Sequence, residues 1–235
     1  MKTTVSRAET AKFDALAARW WDPDGPMRPL HRMNPARVAW IVERVARRFG
    51  RLDVPLLDVG CGAGLASEAL ARRGLRVTGI DAAGDALEAA MAHAEGQNLP
   101  LAYRQAAPED LAADGMRFPV VIALEVIEHV PDRAAFLGML AQLVEPGGLV
   151  VLSTINRTRR SLLRAKIGAE YVLRLLPVGT HDWRAFVTPE ELAEGLRAVG
   201  LRPADMAGLV PGLPGSGAWR VGRDLSVNYI AAAEA

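Results

Sequence analysis

From position 55 onward, short apolar runs alternate with helical patterns, and few architectures accept that alternation. Residues 55–60 (PLLDVG) read as a buried strand, 65–73 as a helix stopped at Gly74, and 76–81 (RVTGID) as a second strand. The series continues with a helix over 85–93, a strand over 101–106 and a strand over 119–125 (PVVIALE). A helix over 131–144 and a strand over 147–154 (GGLVVLST) complete it. Near-continuous apolar strands separated by helices must be covered on both faces, which means a mostly parallel sheet in a doubly wound α/β domain. Ligands of such domains sit at the carboxyl ends of the strands. Flanking helices are expected over 34–48, with Pro35 in the first turn, and over 188–199, with a last strand over 227–234 (VNYIAAAE). With no internal repeat, the reading is one domain over 1–235. It includes an N-terminal helical cap over 1–50 and a basic insertion over 157–183.

Composition excludes several classes. Half of the 235 residues are hydrophobic and 23% are charged, so a core can be buried and wholesale disorder is excluded. A net charge of +1 gives no support to a nucleic-acid partner. The longest uncharged stretch, residues 206–219, is 14 residues studded with Gly and Pro, too short to span a bilayer. The N-terminus lacks an apolar signal region, and Cys61 is the single cysteine, so an intrachain disulfide is impossible and a reducing, cytoplasmic setting is expected.

The segment Asp58-Val-Gly-Cys-Gly-Ala-Gly64 joins the first strand to the following helix. Its glycines allow a tight turn and close approach of the backbone to a ligand. A dinucleotide fingerprint, G-x-G-x-x-G, would need glycine at Leu65, so an NAD-dependent oxidoreductase fails on spacing. G-x-G-x-G after an acid suits a ligand without a pyrophosphate, and S-adenosylmethionine is the candidate. Asp81 ends the second strand, where a carboxylate can accept hydrogen bonds from both ribose hydroxyls. Taken singly, the loop is only a tight turn and Asp81 only a helix cap.

The chain resembles the ubiquinone-biosynthesis O-methyltransferases within the class I methyltransferases. The residues carrying the likeness are Phe13, Trp20-Trp21-Asp22, Gly25, Pro29-Leu30-His31, Asn34-Pro35 and Arg37, then DVGCGAG and Asp81. EVIEHVPD at 125–132, STINRT at 153–158, GAEYVLRLLPVGTHDW at 168–183 and VNY at 227–229 complete the set. The resemblance implies a Rossmann-like, mostly parallel seven-stranded sheet. It implies methyl transfer from S-adenosylmethionine to a hydroxyl of 2-polyprenyl-6-hydroxyphenol or 3-demethylubiquinol. By the same resemblance Arg37 reaches the donor's carboxylate, Gly60 is the donor-contacting first glycine of the loop, Asp81 holds the ribose, and Leu124 lines the adenine and ribose pocket. Two departures stand out: Pro119 is read as local structure, and VPGLPG at 210–215 leaves the acceptor contacts near the C-terminus unassigned.

Some members of the family hold magnesium at the positions of Glu125, Glu128 and His129. Spaced i, i+3 and i+4, these side chains would face one side if the segment turned helically. Without metal, His129 is the candidate general base, with His31 and His181 as weaker ones. Between Arg157 and Arg174 six cations face one anion, and Leu162, Ala165, Ala169, Val172, Leu173 and Leu176 form an apolar stripe. That pattern suits the surface of an anionic membrane, and a prenylated substrate implies peripheral contact with the inner membrane. The alternative is an ordinary lid helix. Methylation of another small phenol or catechol is the second functional reading, and binding of other enzymes of the pathway is left open.

Overall fold

The computed structural model describes residues 10–11, 14–163, 183–212 and 217–235. In chain order the elements are α1 (Arg28–Phe49), β1 (Pro55–Val59), α2 (Leu65–Ala71), β2 (Arg76–Asp81), α3 (Gly84–Ala94), β3 (Leu101–Gln105), α4 (Pro108–Ala113) and β4 (Phe118–Leu124). They continue with α5 (Arg133–Leu143), β5 (Val144–Ile155), α6 (Pro189–Ala198), β6 (Arg202–Pro211), β7 (Trp219–Gly222) and β8 (Asn228–Glu234). A 3-10 turn, Ala17–Arg19, precedes α1, and a single helical turn, Arg159–Ser161, follows β5.

The strands form one sheet in the order β3-β2-β1-β4-β5-β8-β6-β7. β1 to β5 pair in parallel, while β8 is antiparallel to β5 and β6. The chain runs outward from β1 in one direction and from β4 in the other, so the crevice between their carboxyl ends is the topological switch point. Among the described residues the sheet has eight strands, not seven. The extra one is β7, which pairs with the outer half of β6, Gly208 to Pro211. Neither β6 nor β7 is read in the sequence, because Pro203, Asp205 and Gly208 interrupt β6 and its register shifts between Pro203 and Asp205.

Both faces of the sheet are buried, and the strands sort their side chains between them. Leu57, Val121, Ala123, Val150, Leu152 and Ala231 pack with Leu111 of α4, Phe136 and Leu140 of α5, and Leu192 and Leu196 of α6. Leu56, Val120, Ile122, Leu149, Val151 and Ile230 pack with Trp40, Ile41 and Val45 of α1 and with Leu70 of α2. A smaller cluster joins Trp20 and Met27 to Ala63, Ala83 and Ala86, so the N-terminal segment lies against the glycine loop.

α1 begins at Arg28, six residues before the expected start, and this corrects the placement of Pro35. Pro29 occupies the first turn and Pro35 lies inside the helix. Pro35 lacks the N–H that would bond the carbonyl four residues back. The helix continues because its apolar face, from Met33 to Val45, is buried against the sheet. It ends at Gly50, whose φ of 67° only glycine adopts without strain.

Phe136 is 1% exposed at the centre of one core face. Phe136→Ala should destabilise the fold by about 3–5 kcal/mol in urea titration, whereas Gln142→Ala on the exposed side of α5 should change it by about 0.5 kcal/mol or less.

Candidate active site

At the switch point, β1 delivers Asp58 and the glycine loop, β2 delivers Asp81, β4 delivers Leu124 and Glu125, and α1 lays Arg37 across them. Gly60, Gly62 and Gly64 all have positive φ, at 71°, 53° and 83°. Gly62 is compelled twice over, by its positive φ and because a Cβ there would lie 2.6 Å from the Trp20 ring; its N–H donates to Asp81 Oδ2 at 2.8 Å. At Gly64, the residue preceding α2, a Cβ would overlap the Tyr103 hydroxyl. The Gly60 N–H donates to the Ile80 carbonyl at 2.8 Å, tying the loop to β2.

Asp81 bridges two turns. Oδ2 accepts from Gly62 and Oδ1 accepts from the Ala83 N–H at 2.8 Å, so it is at once a turn cap and a clamp on the glycine loop. Burial pushes its pKa up, and the backbone donors partly offset that. Asp58 is fully enclosed, and Ser67 Oγ of α2 donates to its Oδ2 at 2.6 Å. Burial raises its pKa to about 6 against the pull of Ser67 and Arg37.

Arg37 is only 3% exposed. Its Nη2 donates to Asn34 Oδ1 at 3.3 Å and its Nη1 lies 3.8 Å from Glu125 Oε1. Its Nε is buried with no hydrogen-bond partner in the structure. Burial lowers its pKa, opposed first by Glu125 and then by Asp58. Asn34 Nδ2 in turn donates to the Leu65 carbonyl at 2.9 Å, pinning α1 to the start of α2. The Asn-Pro-x-Arg motif therefore places an under-satisfied guanidinium at the switch point.

Glu125, Glu128 and His129 do not converge. Residues 127–129 form a turn rather than a helix, and Glu125 has a left-handed φ of 57°. Ser153 Oγ donates to Glu125 Oε1 at 2.6 Å, and Thr154 Oγ1 donates to Glu128 Oε2 at 2.8 Å. Ser153 and Thr154 are consecutive on β5, so their side chains project from opposite faces. The two carboxylates are drawn apart with them, Glu125 toward α1 and Glu128 toward the α5 side. Among the described residues no three His, Cys, Asp or Glu side chains stand together as metal ligands. The helical geometry expected for the magnesium trio is therefore corrected. Burial raises the Glu128 pKa to about 7.

Of the other histidines, His31 Nε2 bonds the Trp20 carbonyl at 2.8 Å; a carbonyl only accepts, so that nitrogen carries the proton and the ring is engaged in the cap. His181, Arg164, Lys166 and most of the amphipathic stripe lie outside the described residues. Trp21 donates from Nε1 to the Ala63 carbonyl at 3.0 Å and stacks on His93 at 3.4 Å between ring centroids. His93 Nδ1 meets Glu68 at 2.7 Å, a fully buried carboxylate also bonded by Arg72. Ser67, Glu68 and His93 do not stand out in the sequence, and Asp58 stands out only as the acid preceding the glycine loop. Ser67 and Glu68, on the one helix that follows the loop, were the available signal for the first two.

The motifs near the C-terminus meet one another. Asn156 Nδ2 donates to the Leu225 carbonyl at 2.8 Å, and Thr158 Oγ1 to the Ser226 carbonyl at 2.6 Å. Trp183 Nε1 donates to the Thr158 carbonyl at 3.0 Å. The loop after β5 is thus fixed to the entry of β8 beside the crevice.

A methyltransferase-domain family model matches residues 30–204. The chain is 48% identical to the ubiquinone biosynthesis O-methyltransferase of Cereibacter sphaeroides over 239 aligned residues, covering 98% of this chain and 96% of that one. Identity and coverage are the same for the ubiquinone biosynthesis O-methyltransferase of a Methylobacterium species. Among solved structures it is similar to magnesium protoporphyrin IX methyltransferase from Synechocystis with bound SAH, at a TM-score of 0.65 and 21% identity, covering 96% and 98% of the two chains. That last likeness bears on the fold alone.

The raised pKa of Asp58 gives a sign. The folded state holds a proton on Asp58 up to about pH 6, while the unfolded carboxyl releases it near 3.9. This contribution to stability is full below the unfolded pKa and is lost as pH rises through the folded one. Thermal midpoints measured from pH 8 to pH 4.5 should therefore rise less steeply for Asp58→Asn than for the parent protein.

Proposed function

The chain belongs to the ubiquinone biosynthesis O-methyltransferase family, and on that premise we propose how its own residues carry out O-methylation of a prenylated phenol with S-adenosylmethionine as donor. The acceptors we assign are 2-polyprenyl-6-hydroxyphenol and 3-demethylubiquinol, following the resemblance. The observation that carries the donor site is the buried Arg37 with an unpartnered Nε, set beside the glycine loop and Asp81.

S-adenosylmethionine supplies a methyl group on a sulfonium, a leaving group that needs no acid. In this reading Arg37 pairs with the donor's carboxylate. Asp81 accepts from the ribose hydroxyls while still clamping the loop, the turn at Gly60 lets the backbone approach the donor, and Leu124 lines the adenosine pocket. The remaining work is alignment of the acceptor oxygen behind the methyl carbon, exclusion of water and removal of the phenol proton. A free phenol holds that proton to a pKa of about 10. His129, at the end of the turn beyond β4, is the residue we assign as general base. The new C–O bond forms as the C–S bond breaks, and the phenol proton passes to the imidazole. Magnesium, implied by the resemblance, does not fit the side chains as they stand, because Glu125 and Glu128 are tethered on opposite sides of β5. No step is assigned to it.

No described helix is long and apolar enough to cross a membrane. Peripheral contact through the segment after β5 is supported by Leu163, 62% exposed, next to Arg159 and Arg160. Vesicles containing phosphatidylglycerol should co-sediment the parent protein more strongly than a variant with Arg159, Arg160 and Arg164 all changed to Glu. Equal binding by both would remove this role.

Methyl transfer to a short-tailed demethylubiquinol, assayed in EDTA and again with magnesium, tests the main reading. Methylated product in either buffer supports it, and donor binding with no transfer to either precursor in both buffers overturns it. Arg37→Ala should weaken binding of S-adenosylhomocysteine by about tenfold or more, the loss of a charge-assisted pair.

A further inference from the structure

Glu125 is one of two non-glycine residues with positive φ among those described, and the other, Asn98, is exposed in the connection between α3 and β3. A side chain in this region is strained and persists only where its surroundings hold it. Here they do so twice through one residue. The Glu125 N–H donates to the Ser153 carbonyl at 2.9 Å, and the fully buried Ser153 Oγ donates to Glu125 Oε1 at 2.6 Å. The same Oε1 stands 3.8 Å from Arg37 Nη1.

This arrangement is not the one a cation ligand needs, and it accounts for Arg37. The guanidinium is held at Nη2 by Asn34 and faces Glu125 at Nη1, which leaves the Nε donor as the buried group without a partner. Resting on the reading that Arg37 receives the donor's carboxylate, we propose that Glu125 is a positioning residue: through Ser153 and its left-handed turn it fixes the plane and charge of the Arg37 guanidinium for donor binding. With Glu125 gone, Arg37 keeps one 3.3 Å contact and a buried charge without its nearest counter-ion. Such a group rotates or withdraws, and the site loses its alignment.

Titration of S-adenosylhomocysteine by calorimetry in EDTA provides the test, because losing a ligand to a metal cannot change binding where no metal is available. Glu125→Gln should raise Kd by about fivefold or more, and the donor KM should rise in parallel while the acceptor KM stays within about twofold. Glu125→Gly, which accepts a φ of 57° without strain, should show the same loss when titrated well below its own Tm, where the protein is folded, separating positioning from folding. Glu125→Asp should recover part of the affinity. Glu128→Gln, facing Thr154 on the other side of β5, should leave donor affinity unchanged. Unchanged or tighter binding in Glu125→Gln and Glu125→Gly, with Arg37→Ala weakened, overturns the role of Glu125 alone. Unchanged binding in Arg37→Ala overturns the donor reading and this inference with it. An equal loss in Glu128→Gln also overturns it, since the effect would then not pass through Arg37.

Discussion

A sheet buried on both faces commits every side chain near its carboxyl edge to one side or the other, and the chemistry of this protein is arranged by that commitment. Ser153 continues the face of Leu149 and Val151, and Thr154 continues the face of Val150 and Leu152. Two glutamates three residues apart are thereby sent to different compartments, one with the guanidinium of α1 and one toward the core under α5. Asp58 obeys the same rule. It shares its face of β1 with Leu56, so it meets Ser67 of α2 and not the helices opposite.

The second dependence is on close approach. The glycine loop is clamped to β2 by Asp81 and by the Ile80 carbonyl, and the Trp20 ring occupies the space a side chain at Gly62 would need. The N-terminal segment is in turn anchored by Asp14, whose carboxylate accepts from the N–H groups of Asp85 and Ala86 at the start of α3. Trp21 adds its bond to Ala63 and its stack on His93. Loop, cap and helix N-terminus therefore form one packed unit, which explains why the Trp-Trp-Asp motif and the glycine loop, about 40 residues apart in the chain, belong to one site.

Six of the eight strands are legible in the sequence: β1, β4, β5 and β8 carry near-continuous apolar runs because both their faces are covered, and β2 and β3 follow from their places between helical segments. β6 and β7 escaped because half of their residues meet solvent and proline, aspartate and glycine break the pattern. Arg37 read alone is an ordinary exposed helix arginine, since nothing in its spacing announces that α1 begins at Arg28 and turns it inward. Glu125 was misplaced for a related reason. Helical spacing presumes helical φ, and the demand of Ser153 at the strand end sets a left-handed turn that no local pattern encodes.

Charge completes the case for the donor. Among the described residues Arg37 is the one buried guanidinium; Glu125 and Asp58 stand near it, Asp81 lies across the glycine loop, and burial raises the pKa of both aspartates. The crevice thus carries more negative than positive potential charge, and enclosing those carboxylates works against their ionisation. S-adenosylmethionine brings one carboxylate, an ammonium and a sulfonium, so in the proposed site its anion pairs with Arg37 and its two positive centres offset the acids. Transfer of the methyl group removes the sulfonium charge. On that proposal the same carboxylates face a product with one positive centre fewer, so the electrostatics that favour entry of the donor weaken once the reaction is complete.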